Sequence, residues 1–262
     1  MEKYNFINIS QAKKLTGLSY FGSINISAKL IKNQIVSKQL TYIVYMSPAD
    51  LSGYNVCSHC TIECKKRCLA FSGRSAMDIL SGNNIIQKCR IKKTRLFFEQ
   101  RDFCLNWIIA EINYYKEKAK KLKYGFSIRL NGTSDINYNE ILINGKSLFE
   151  IFPDVQFYDY TKNPNKFINK PINYHLTFSY SGRNLKHCLN LLNLGYNIAV
   201  VFSTKKKEAL PEYFLSHKVI NGDLTDYRPA DENNCIVGLR YKKIADKVIN
   251  ENIKTSKFVV TI

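Results

Sequence analysis

Four of the chain's eight cysteines fall within twelve residues, Cys57-Ser-His-Cys60-Thr-Ile-Glu-Cys64-Lys-Lys-Arg-Cys68, with gaps of two, three and three. No single face of a strand or an ordinary amphipathic helix would collect sulfurs spaced in this way. A loop wrapped round an ion or cluster would. Thiolates bind soft or borderline ions, so zinc and iron–sulfur clusters are the chemistry open to Cys57, Cys60, Cys64 and Cys68. Two local disulfides or four free thiols are the plainer alternatives, and a reducing compartment argues against the disulfides.

A second set of chemistry-bearing residues lies at the ends of short apolar runs. Phe126-Ser-Ile-Arg-Leu130 leads into Asn131, Ser134 and Asp135; Val155-Gln-Phe-Tyr-Asp159 leads into Thr161 and Lys162; Tyr174-His-Leu-Thr-Phe178 leads into Ser179 and Arg183. Arg129 and His175 sit inside such runs. A buried guanidinium needs a partner, and Asp135 or Asp159 would supply one, so a structural ion pair competes with a substrate-facing role. His175 reads as a satisfied core histidine or as a base. Asn221-Gly-Asp223-Leu-Thr-Asp226-Tyr-Arg228 could hold a hydroxylated ligand or a hard cation, and a simple turn explains it equally well.

The elements that would position these groups follow from the hydrophobic pattern. Residues 1–40, broken by glycines and Asn/Ser, read as an irregular lead-in. Thr41 to Ser47 reads as the first strand, delivering the chain to the cysteines. Residues 75–100 and 102–122 are helical in pattern, the second with a clear apolar stripe from Cys104 to Leu122. From 125 onward, strands near 126–130, 155–159, 174–178, 197–202, 235–240 and 257–261 alternate with connectors, including a helix over 184–194. That order implies one α/β domain over 1–262: a partial (β/α) barrel or mostly parallel sheet with a cysteine-rich metal loop after the first strand. In such folds ligands bind at the carboxyl ends of the strands, where the polar residues collect. There is no Rossmann glycine pattern and no phosphate-binding P-loop.

Over 262 residues the chain carries a net charge of +18, with 45% hydrophobic and 13% aromatic residues. The charge predicts attraction to a polyanion, nucleic acid or a nucleotide, although an AT-rich coding bias would also accumulate lysine. Lys88, Arg90, Lys92, Lys93 and Arg95 form a basic flank beside the metal loop, suited to phosphates or simply solvated. No apolar run is long enough to span a membrane and no signal peptide is visible, so a soluble, cytoplasmic protein is expected. Cys89, Cys104, Cys188 and Cys235 then read as buried thiols.

Taken in order, Ser47-Pro-Ala-Asp-Leu-Ser-Gly-Tyr-Asn-Val-Cys57, Cys64-x3-Cys68 with Ser72-Gly-Arg74, Lys93-Thr-Arg95, Arg129-Leu-Asn-Gly-Thr-Ser-Asp135, Gln156-Phe-Tyr-Asp-Tyr-Thr-Lys162 and Tyr174-His-Leu-Thr-Phe-Ser179 resemble the phage gene-product-eighty-eight family. The resemblance runs from about residue 45 to the C-terminus. It implies that the cysteines matching Cys57, Cys64 and Cys68 recur and that Cys60 is an addition. Three cysteines suit a cluster with one open iron; a fourth would close a zinc site. The general plan is also similar to that of radical S-adenosylmethionine enzymes, whose triplet is usually spaced three and two residues apart, against six and three here.

Two functions follow as expectations. In the first, the chain is a [4Fe–4S] enzyme, in which S-adenosylmethionine or substrate is held by Asn131, Ser134, Asp159, Thr161 and Ser179. Chemistry would fall to Arg129, Asp135, Lys162 and His175. In the second, zinc on four thiolates stabilises a nucleic-acid-binding protein of a phage or plasmid.

Overall fold

The computed structural model describes residues 8–24, 28–77 and 84–262. Positions 1–7 and 25–27 of the expected lead-in, and 78–83 of the expected helix 75–100, lie outside these. In chain order the elements are α1 (Ile9–Thr16), β1 (Gly22–Ser23), α2 (Ala28–Ser37), β2 (Gln39–Val44), α3 (Ile62–Lys66), α4 (Ile85–Glu99) and α5 (Arg101–Lys121). There follow β3 (Gly125–Arg129), α6 (Leu148–Ile151), β4 (Gln156–Thr161), β5 (Tyr174–Ser179), α7 (Leu185–Asn193), β6 (Ile198–Phe202), β7 (Tyr213–Phe214), β8 (His217–Asn221), β9 (Ile236–Arg240), α8 (Lys247–Glu251) and β10 (Val259–Val260).

The protein is a mixed α/β structure built on one ten-stranded, mostly parallel sheet of order β1-β2-β3-β4-β5-β6-β9-β8-β7, with β10 paired to β6. Among the described residues only β1–β2 and β7–β8 are antiparallel. Strands β2 to β6 lie side by side in sequence order. β6 is shared: Ile198 and Ala199 pair with β5, while Val201 and Phe202 pair with β10.

Alternation along the strands gives the two faces different chemistry. Leu40, Tyr42, Val44, Ile128, Leu130, Phe157 and Leu176 point into the main core, against Cys104, Leu105, Trp107, Ile108 and Ile112 of α5. A second core packs Cys188, Leu191 and Leu192 of α7 on Phe178, Ile198, Val200 and Ile236. The residues between them, Thr41, Ser127, Arg129, Tyr158, Tyr160, His175 and Thr177, line the opposite, polar face. That face is covered by α2 and the segment 222–231: Asn33 accepts from the Asp226 N–H at 2.7 Å and its amide donates to Thr41 Oγ1.

Among its described residues the lead-in holds two helices, α1 and α2, and the short strand β1. Asn8 and Gln11 close a capping box at the start of α1, and Gly17 ends that helix at φ 64°, where a glycine avoids a Cβ clash. Cys89 is exposed, whereas Cys104, Cys188 and Cys235 are buried as expected. In α4 the buried stripe runs through Gln87, Arg90, Lys93, Thr94 and Phe97, which turns Cys89 outward. Among the described residues no helix is long and apolar enough to cross a membrane.

Candidate functional site

The cysteine segment leaves the carboxyl end of β2 and is fixed there from two sides. Helix α4 holds one flank: Thr94 Oγ1 accepts from the Ser47 N–H at 2.8 Å, and Arg95 Nε donates to the Ser52 carbonyl at 2.9 Å. The Tyr54 ring stacks on Phe98 with centroids 4.6 Å apart. The loop after β3 holds the other flank. The Gly132 N–H donates to the Val44 carbonyl, Thr133 Oγ1 to the Met46 carbonyl and the Asp135 N–H to the Val56 carbonyl, at 2.9, 2.5 and 2.7 Å. A Cβ on Gly132 would fall 2.7 Å from the Val44 carbonyl oxygen, so this close approach requires glycine.

Within the segment, Cys57 and Cys60 bracket a turn in which the Cys60 N–H donates to the Cys57 carbonyl at 3.1 Å. Thr61 then caps α3 by accepting from the Cys64 N–H. The run is therefore not wholly loop: Cys64 lies on a short helix and Cys68 follows one turn later. A segment far downstream closes over it. Arg67 pairs with Glu63 and donates to the carbonyls of Ile249 and Asn252, Ser256 Oγ donates to Glu63, and Ser72 bridges Ile244.

Lys162, just past β4, enters the middle of this arrangement. Burial works against its ammonium, but the nearby Cys64, together with Asp135 and Cys57, outweighs that cost and raises its pKa. The same ammonium acts on Cys60 and Cys68. Burial pushes the Cys57 thiol up to about 12 and the Cys68 thiol up to about 11, and raises Cys60 as well. By type the four thiols suit a soft ion, and an adjacent ammonium suits the negative charge thiolates would bring. Among the described residues, however, no three His, Cys, Asp or Glu side chains stand close enough together to hold one ion.

A model of the Gene product 88 family matches residues 18–261 of this chain. The chain belongs to the Gene product 88 family. No curated protein and no solved structure matches it.

In this Gene product 88 protein two strand-end residues, Asp135 and Lys162, lie beside the cysteines, and most of the others are bonded to one another. Asp135 accepts from Thr161 Oγ1 at 2.7 Å, from the Lys162 N–H at 2.9 Å and from the Lys166 ammonium at 2.6 Å. Asp159 accepts from the Asn131 N–H, the Asn131 amide and Tyr174 Oη, while Asn131 Oδ1 accepts from Ser134 and Ile136. These groups shape the loop after β3, which packs on the Cys57 segment, and the loop after β4, which carries Lys162. Ser179 ends β5 and its carbonyl accepts from Asn184.

Arg129 is on the polar face, its Nη1 2.7 Å from Asp226 and its Nε 3.8 Å from Asp159, over the Tyr160 ring. The partner is thus Asp226, with Asp159 behind it, and not Asp135. His175 stands at the amino end of β5, away from the cysteines. Of the basic flank, Arg90 and Lys93 are buried against the rings of Tyr45 and Tyr20, leaving Lys88, Lys92 and Arg95 at the surface. Sequence reasoning missed Lys166, Arg67 and Glu111. Glu111 is buried and accepts from the Phe21 and Gly22 N–H groups and Tyr42 Oη. Lys166 and Glu111 carry no local signal, because their partners lie far away in sequence, and of Arg67's bonds only the one to Glu63 is local.

Proposed function

We propose that Cys57, Cys64 and Cys68 ligate a [4Fe–4S] cluster at the carboxyl end of the sheet, in a radical S-adenosylmethionine-like enzyme of phage or mobile-element type acting on a nucleotide or nucleic acid. The observation that carries this reading is the meeting of the cysteine segment with Asp135 and Lys162 from two neighbouring strand ends. Parallel strands in sequence order, with their crossover helices on one face, favour a partial (β/α) barrel whose polar face is the concave one. In βα folds that end of the strands is where ligands bind. Such a cluster supplies one-electron chemistry, and three protein thiolates leave one iron open for S-adenosylmethionine.

In this reading Lys162 offsets thiolate charge beside Cys64. Lys88, Lys92 and Arg95 on α4 present positive charge to phosphates next to the cysteines. Free thiols fit a reducing compartment, the cytoplasm of the host cell. Cys60 favours a second reading, in which four thiolates hold a structural zinc in a nucleic-acid-binding protein without catalytic activity.

Anaerobic purification separates the two. The first reading expects brown protein with iron, sulfide and broad absorbance near roughly 400 nm. Colourless protein with one tightly held zinc would overturn it in favour of the second.

A further inference from the structure

His175 is unused by the cysteine site. Its Nε2 is buried and has no hydrogen-bond partner among the described residues. A group in that condition costs free energy unless something completes it. The side chain lines a cavity of about 270 Å³, together with Lys170, Leu176, Leu194, Tyr196 and Asn233. This cavity lies at the amino ends of β5 and β6, and the cysteines lie beyond the carboxyl ends. Strands of this length separate the two by about 17–20 Å.

The chemistry of the lining is one-sided. Asn197, also in the wall, already bonds the Glu232 carbonyl and the Cys235 N–H. Glu232 pairs with Lys218, and Asp226 and Asp231 pair with Arg129 and Arg228. Among the described residues Lys170 has no carboxylate partner. Burial, then Lys170 and Arg228, hold the His175 imidazole down at about 4, so at neutral pH it is uncharged beside positive charge that nothing in the wall balances. Leu176, Leu194 and the Tyr196 ring, seated 4.7 Å from Phe167, supply the apolar part of the wall, and Asn233 adds a further polar group. The wall is therefore mixed, with polar groups exposed beside a few apolar ones, and the volume limits the occupant to a small, polar one.

We propose that this cavity is a second binding site, separate from the cysteine face, for a small oxyanion: a phosphate or carboxylate paired with the Lys170 ammonium and lying against the His175 ring. The ammonium supplies charge, and the imidazole borders the site and reports its occupancy.

The test is a titration of full-length, isotope-labelled protein with inorganic phosphate and, in parallel, with succinate, read by NMR at the histidine rings. There are four histidines, and the His175 signal is the one lost in His175→Gln. The expected result is a saturable shift of that signal with at least one anion, weakened tenfold or more in Lys170→Met and unchanged in Lys186→Met. A response to phosphate alone, to succinate alone or to both assigns the ligand class. No shift with either anion, or equal affinity in Lys170→Met, overturns the proposal. Should His175→Gln fail to fold, calorimetric titration of the wild type and Lys170→Met with the same two anions decides the question: tenfold weaker binding in the variant supports the site, and equal or absent binding overturns it.

Discussion

The Lys166 ammonium lies 2.6 Å from Asp135 Oδ1, with the two side chains only 1% and 11% exposed. It also donates to the Ile136 carbonyl at 2.8 Å. This one pair joins the loop after β3 to the loop after β4, and those two loops carry the neighbours of Cys57 and Lys162. The pair is part of the frame of the site.

Asp135→Asn is therefore expected to destabilise the protein by about 3–5 kcal/mol, because it leaves a buried ammonium without its counter-charge. Urea denaturation would show a lower midpoint at unchanged slope. Removing both charges in Asp135→Asn/Lys166→Met should recover part of the loss. A variant that melts like the wild type would mean that Asp135 serves a ligand and not the frame.

Replacing the cysteines one at a time should separate ligands from bystander. Cys57→Ser, Cys64→Ser and Cys68→Ser are expected to lose bound metal and to weaken folding in the loaded protein, whereas Cys60→Ser keeps it. Metal per chain is the readout. Equal loss from all four would establish a four-thiolate site.

Acid should act through two buried groups of opposite sign. His175 titrates at about 4 in the fold against about 6.5 in an open chain. Its contribution is fully present above pH 6.5 and is lost as pH falls toward 4. Asp159 is raised to about 6 by burial, against the pull of Arg129 and Lys166. Its contribution is greatest below its open-chain value near about 3.9 and is lost as pH rises through 6. Stability measured between pH 4 and 7 should accordingly fall less steeply in acid for His175→Gln and more steeply for Asp159→Asn. A His175→Gln profile superimposing on the wild type would contradict the assignment.

If α4 faces nucleic acid, log affinity should decline linearly with log salt, and neutralising Lys92 and Arg95 together should reduce the slope by about two. Arg90 and Lys93 are buried, so changing them should alter the melting temperature and leave the slope alone. An unchanged slope in the surface double variant would leave the basic flank merely solvated.

Strands β2 to β6 and β9 were legible because each is a short apolar run closed by polar residues, and α5 because its stripe from Cys104 onward has helical period; the two-residue strands β1 and β7 are too short to carry a pattern. Helices α1 and α2 were obscured by different features. The first is mostly polar and betrayed only by Asn8 and Gln11 three residues apart; the second is rich in β-branched residues. In α4 the period was right but the face was wrong, since Arg90, Lys93 and Thr94 are buried to reach Tyr45, Tyr20 and Ser47. The meeting of the cysteines with Asp135 and Lys162 could be anticipated from the strand-end rule for parallel sheets. The pairing of Arg129 with Asp226, 97 residues away, could not, because no local pattern selects one carboxylate over another.

The bonds from Arg67 and Glu63 to Ile249, Asn252 and Ser256 span 182 to 193 residues. At a synthesis rate of about 5–20 residues per second, the cysteines leave the ribosome some 10–40 s before the segment that covers them exists. Through that interval four thiols stand open to solvent, oxidants and whatever metal is abundant. The stretch from Ile249 to Ser256 thus decides when the frame around the half-buried cysteines is complete, and in the cluster reading loading can begin before that frame exists.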